Sequence, residues 1–278
     1  MKKSLILTFL IFSSIFEAFA QIESNNIYYK IQSYSEFTAT VADLPGNKTC
    51  SGAKEIPNIV TDEFGIYRHP YKVIAIEPSA FKGNTKLTSI YIPILYMNSI
   101  GDDAFNGCTA LKKVTIANKA VIFGTEYPAA FTFIGKKAFY GCTNLNIITI
   151  PSSTKHIGDE AFYGCTALTQ IYSYMDSPNI ANWNYPAYSA YEEIFSEVTY
   201  SKATLYVPKG CAKYYKQSGI WSKFKNIVEF NTAQIDEIKV DDNGQNVTLW
   251  YDLCGRVFNQ KPTAPGVYIH NHQKVVIK

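Results

Sequence analysis

Charge of one sign is scarce in this chain. Its 278 residues carry 26 Lys and Arg against 23 Asp and Glu, a formal net charge of +3. No run of more than two basic residues stands anywhere in the chain, so the electrostatic footprint of a nucleic-acid binder is missing. Histidine is rarer still, with His69, His156, His270 and His272 making up the whole set. His270 and His272 lie two apart and would share one face of a strand. They supply two ligands at most, so neither a metal site nor a cofactor is expected. No Ser occupies a Gly-x-Ser-x-Gly elbow, and no Cys is placed to pair with a His as a nucleophile. After residue 20 no apolar run is long enough to cross a membrane as a helix. Together these absences argue against an enzyme, a nucleic-acid binder and a membrane-spanning mature chain.

What is present is apolar and aromatic. The hydrophobic fraction is 47% and the charged fraction 18%, enough apolar surface for a real core and unlike a disordered chain. Aromatic residues make up 15%, with 21 Tyr and 17 Phe. Tyr joins an apolar ring to a hydroxyl that stays wet, which suits half-buried sheet surfaces. Residues 1–20 read as a secretory signal. Lys2 and Lys3 give the positive start, Leu5 to Phe16 the apolar run, and Ala18-Phe19-Ala20 the small residues before a cut at Gln21. An exported protein is expected, secreted or at the outer cell surface rather than held in the periplasm. Without that segment the net charge is +2.

Four segments repeat one pattern. They are Ile76 to Leu87, Ile100 to Leu111, Ile134 to Leu145 and Ile157 to Leu168, with Phe at 81, 105, 139 and 162. The unit is roughly 23 residues long, and such a period marks a stack of supersecondary units. Ile closes a short strand, and the following Gly is expected to permit a sharp turn. Ala-Phe sits on a brief helical turn and drives its ring inward. The later Gly suits a left-handed residue. Leu and two alternating Ile or Val then line the inner face of strands at 87–92, 111–116, 145–150 and 168–172. One unit cannot bury Ile, Phe, Leu and Ile alone, but a stack of them can. Cys108, Cys142 and Cys165 share one repeat position, which makes them a ladder of small buried hydrophobes with free thiols. Asp102, Asp103, Asp159 and Glu160 recur beside the turn, so the period explains them as turn residues rather than an acid–base pair. Cys50, Cys211 and Cys254 share no spacing, and a disulfide among them stays open.

The pattern Ile-Gly-x-x-Ala-Phe-x-Gly-Cys-x-x-Leu-x-x-Ile-x-Ile-Pro resembles the BspA-type leucine-rich repeat of bacterial surface and secreted proteins. Clear copies cover residues 76–172. The resemblance implies a β-rich α/β solenoid, a leucine-rich repeat right-handed superhelix with short strands and short helical turns, plus a small C-terminal β-domain. On this reading residues 21–75 form a β-rich lead-in or cap. Residues 76–230 form the solenoid, whose closing unit runs from Thr204-Leu205-Tyr206-Val207-Pro208 through Tyr214-Tyr215 to Trp221 and Phe224. Glu77-Pro78 and Asn84 depart from the pattern in the first copy, as befits a unit near a cap. In residues 231–278, Asp241-Asp242-Asn243-Gly244 signals a hairpin turn, and strands are expected at 247–253, 255–258, 266–269 and 274–277. This tail resembles the C-terminal sorting domains of proteins carried across an outer membrane, although His272-Gln273-Lys274 stands where those tails read Gly-Lys-Lys.

Three places are candidates for recognition. The outward residues of the repeat strands form one column of Tyr91, Thr115, Thr149 and Tyr172, and another of Ser89, Lys113, Ile147 and Gln170. The insertion between Phe105 and Phe139 runs about ten residues past the repeat length and carries Phe123 and Tyr127. The stretch 172–191 crowds Tyr174, Trp183, Tyr185, Tyr188 and Tyr191 among Asn, Pro and Ser, a composition suited to glycan stacking or protein contact. The resemblance implies a non-catalytic, adhesin-like protein that binds host or microbial surface proteins or glycans. A secreted carbohydrate-binding protein using the 172–191 aromatics and an envelope scaffold are the alternatives.

Overall fold

The computed structural model describes residues 21–43, 50–62, 69–122, 125–177, 193–230, 250–252, 257–258, 263, 266–270 and 273–277. The signal-like segment 1–20 and the turn at 241–244 lie outside these. Two compact units are present. One comprises the residues up to Val121 together with Glu126–Phe230, and the other Ile122–Thr125 with Asn231–Lys278.

The first unit opens with β1 (Gln21–Ser24), β2 (Ile27–Ser33), β3 (Thr38–Ala42), β4 (Gly52–Glu55), β5 (Ile59–Thr61) and β6 (Pro70–Ile76). The repeats supply β7 (Leu87–Ile92), β8 (Ser99–Ile100), β9 (Lys113–Ile116), β10 (Ala120–Ile122), β11 (Thr125–Tyr127), β12 (Phe133–Ile134), β13 (Ile147–Ile150), β14 (His156–Ile157) and β15 (Gln170–Ser173). A closing segment adds the helix Glu197–Lys202, β16 (Thr204–Pro208), the helix Ala212–Gln217 and β17 (Asn226–Phe230).

Each repeat gives one strand to each of two sheets. The long strands form a seven-stranded sheet in the order β17-β16-β15-β13-β9-β7-β4. Its repeat and closing strands pair in parallel, as β7 with β9 and β13 with β15. The short strands ending in Ile extend an eight-stranded sheet in the order β1-β2-β3-β6-β8-β12-β14, with β5 beside β6. Both sheets contribute to one buried core. The parallel β-solenoid with short turns, expected from the repeat, is what the chain forms. The lead-in is continuous with the stack. β3 pairs in parallel with β6, and β4 with β7, so residues 52–55 already act as a coil's long strand.

The turns between the two sheets are bonded from coil to coil. Phe81 N donates to Ala104 O, Phe105 N to Ala138 O and Phe139 N to Ala161 O, each at 2.7 Å. The turn amides, which have no ladder of their own, are thereby satisfied by the next coil. The turn holds two left-handed residues. Gly107 and Gly141 have φ of 74° and 68°, as the pattern predicts. Asp103, Lys137 and Glu160 also sit at positive φ, 57°, 55° and 54°, a conformation that β-carbons disfavour. The glycine after each Ile has a different duty from the sharp turn expected of it. A β-carbon on Gly135 would stand 2.5 Å from Asp102 N, so this position is small because successive coils touch there.

The second unit carries a four-stranded antiparallel sheet of β18 (Trp250–Asp252), β19 (Val257–Phe258), β20 (Gly266–His270) and β21 (Gln273–Ile277). His270 ends β20 and pairs with Gln273 at the start of β21, and His272 lies outside the described residues.

Candidate functional site

Two ladders fix the core that carries the surface. Phe81, Phe105, Phe139 and Phe162 stack with centroid distances of 4.9, 4.9 and 5.2 Å. A fifth ring, Phe195, continues the stack 5.2 Å from Phe162. The sequence pattern missed this rung because Ile194 replaces the Ala and no Cys follows. The thiols of Cys108, Cys142 and Cys165 donate to the carbonyls of Phe81, Phe105 and Phe139 at 3.0, 3.1 and 3.2 Å. In the first copy Asn84 takes the Cys position. Its amide donates to Cys50 O at 3.0 Å and also reaches Cys50 Sγ, while its oxygen accepts from Lys86 N and Leu87 N. Cys50 therefore belongs to the same ladder. Cys50 and Cys211 are free and buried; Cys254 lies outside the described residues. At the far end Phe195, Tyr200, Tyr215, Trp221 and Phe224 pack edge to face and seal the core.

The recurring carboxylates serve contacts between coils. Asp103 pairs with Lys82 at 3.6 Å, Asp159 with Lys136 at 3.8 Å and Glu160 with Lys137 at 3.1 Å. Asp102 Oδ1 accepts from Lys136 N at 2.7 Å. Among the described residues no group of three or more His, Cys, Asp or Glu is placed to hold a metal ion. Among the same residues no helix is long and apolar enough to cross a membrane.

The first column forms in register along its length, and the second as two separate pairs. Ser89, Lys113, Ile147 and Gln170 are direct neighbours, and Thr204 and Asn226 extend their row. Tyr91 pairs with Thr115, and Thr149 with Tyr172. The row is not uniformly open. Thr149 is buried, and its hydroxyl accepts from Ile116 N at 2.8 Å while donating to Ile116 O at 2.7 Å. Ile147 is buried as well, so the middle of the face is closed. Tyr174 is buried and packs edge-on against Phe230 at 5.4 Å. Tyr91, Thr115 and Tyr172 keep partial exposure.

A stacked aromatic surface involves two rings that the sequence did not single out. Tyr206 lies opposite Tyr172 across β15 and β16, and the rings stack at 4.6 Å with 10° between planes. Phe230 meets Tyr172 edge-on at 6.0 Å. Burial, and secondarily Tyr206, raises the Tyr172 phenol above its ordinary pKa, so the Tyr172 ring presents a neutral hydroxyl. In the insertion β10 and β11 form a two-stranded sheet, and Tyr127 is 45% exposed. Phe123 lies outside the described residues, as do Trp183, Tyr185, Tyr188 and Tyr191.

The profile of the BspA type leucine-rich repeat region matches in six copies over residues 74–176 and 124–229, more than half of the chain. The chain belongs to this family. Similar solved structures include a leucine-rich repeat protein from Bacteroides capillosus, 26% identical, covering 55% of this chain and 98% of its own, with a TM-score of 0.44. A leucine rich cell surface protein from Faecalibacterium prausnitzii is 20% identical over 87% of this chain and 62% of its own, with a TM-score of 0.37. The T. pallidum leucine-rich repeat protein is 21% identical over 55% of this chain and 71% of its own, with a TM-score of 0.36. No curated protein matches.

Proposed function

We propose that this BspA-type chain is an exported, non-catalytic binding protein that holds a protein partner on the outward face of its seven-stranded sheet. The observation that carries this reading is the stacked pair Tyr172 and Tyr206, braced by Phe230. The rings are pre-ordered by neighbouring strands, so a partner gains apolar contact and phenol hydrogen bonds at little cost in side-chain entropy. Hot spots of protein interfaces favour such aromatic anchors. The recurring carboxylates have a structural duty, each paired with a lysine of the stack, which accounts for their repetition. Export rests on the signal-like residues 1–20. The C-terminal unit is read as a sorting module on the sequence resemblance of its tail alone, since its four-stranded sheet would suit any small β-module.

The test is residue-resolved crosslinking of the mature chain to host and microbial surface proteins, beside the double variant Tyr172→Ser/Tyr206→Ser. The reading expects crosslinks around β15 and β16 and their loss in the variant at unchanged melting temperature. A partner retained by the double variant overturns it.

A further inference from the structure

A recess of about 290 Å³ lies between the insertion and the turn that follows β13. Asn118, Lys119, Glu126, Tyr127, Ala129, Ser152 and Ser153 line it. Three of its walls are fixed by the fold. Asn118 Oδ1 accepts from Ser152 N at 2.8 Å, which ties the strand exit to the turn. Lys119 Nζ and Glu126 Oε1 meet at 2.9 Å across the hairpin. Ala129 packs on the core.

The lining is chemically specific. The ammonium and the carboxylate cancel, so the recess offers no net charge, and a charged ligand would have to displace one member of that pair. Ser153 Oγ is shielded from solvent and has no hydrogen-bond partner, an arrangement that folded chains rarely leave standing. Turned about its one side-chain torsion into the recess that Ser153 lines, this hydroxyl would be completed by a ligand hydroxyl, which both donates and accepts. The amide of Asn118 and the hydroxyl of Ser152 add further donors and acceptors. Tyr127, 45% exposed, gives the rim an aromatic face. An apolar ligand would strand these polar groups.

We infer that this recess is a binding site for a neutral saccharide, one or two hexose rings in extent. A sugar presents a hydroxyl edge to Asn118, Ser152, Ser153 and the Lys119–Glu126 pair, and a C–H face to the Tyr127 ring. The volume sits at the small end of ligand sites, about 300 Å³, which suits a short glycan end rather than a long chain. The site lies on residues distinct from the Tyr172–Tyr206 surface and stands or falls independently of it.

The mature chain, residues 21–278, is titrated with glucose, galactose, mannose, N-acetylglucosamine, lactose and diacetylchitobiose, followed by saturation-transfer NMR and calorimetry. Galacturonate and glucosamine serve as charged probes. The expected result is millimolar or tighter binding of at least one neutral sugar. Tyr127→Ala and Ser153→Ala are each expected to weaken it by about fivefold or more, with the melting temperature held. Ser153→Ala is informative because deleting an unpaired buried hydroxyl does not lower stability, so a loss of binding reports contact. The inference is overturned if no neutral sugar binds, if binding ignores both variants, or if either charged probe binds more tightly than every neutral one.

Discussion

Gly135 and Asp102 are in backbone contact across two coils, so close that a β-carbon on Gly135 would stand 2.5 Å from Asp102 N. Gly141, in the same coil, has nothing within 4 Å of its missing β-carbon but holds φ at +68°. The two glycines thus answer different demands. Gly135→Ala is expected to cost about 3 kcal/mol, because backbone cannot yield as a side chain can. Gly141→Ala is expected to cost about 1 kcal/mol, the strain of a left-handed L-residue. Chemical denaturation of both variants checks the order, and equal losses would contradict the close-approach account.

The phenylalanine stack predicts a graded response. Phe139 is fully buried between two parallel rings, so Phe139→Ala opens a cavity and should cost about 3–5 kcal/mol. Phe139→Leu keeps most of the volume and should recover more than half of that loss. Thermal unfolding of the pair distinguishes a packing role from a purely local turn effect.

Cysteine chemistry should be silent in the folded chain. Cys108 is fully buried, and the neighbouring Cys142 thiol together with burial pushes its own thiol far above the usual range. Alkylation read by mass spectrometry is expected to leave Cys108, Cys142 and Cys165 unmodified at neutral pH and to label them fully in denaturant. Rapid labelling of any of the three under native conditions would rule out the closed ladder.

One histidine should leave a mark on the pH dependence of stability. His156 stacks on Phe133 at 4.9 Å, and burial lowers its imidazole below 6.5 despite the opposing pull of Asp159 and Asp102. Unfolding restores the ordinary value, so between the two values the unfolded chain binds more proton and stability rises with pH. The contribution is complete above pH 6.5 and fades as pH falls toward the folded value. His156→Gln should flatten this limb in melting curves taken between about pH 5 and pH 8.

The repeat was legible because its chemistry recurs at fixed spacing. Ile, Ala-Phe, Gly, Cys and Leu each meet their own kind in the next coil, so sequence period and spatial ladder coincide. What escaped lies where identity changes but position does not. Phe195 continues the ring stack behind an Ile, and Cys50 enters the thiol ladder through Asn84. Alternation placed Thr149 outside, yet its hydroxyl bonds both backbone groups of Ile116 and the residue is buried. Tyr206 and Phe230 were invisible as a pair with Tyr172 because their coils share no motif, and only strand register brings them together. The duty of Gly135 was misread for a similar reason: a sequence shows a glycine's freedom more readily than the backbone lying against it.

The insertion has an evolutionary consequence. Phe105 and Phe139 are separated by ten more residues than Phe81 and Phe105, yet both pairs stack at 4.9 Å. The rungs do not register how much chain passes between them. Lengthening such a segment carries only a slowly growing closure cost, about 0.6 kcal/mol per doubling. A lineage can therefore rewrite the residues around 118–129 in length and chemistry while the stack beneath keeps its spacing. Diversity can accumulate at this one window, and the same window is a natural graft point for an engineered recognition loop.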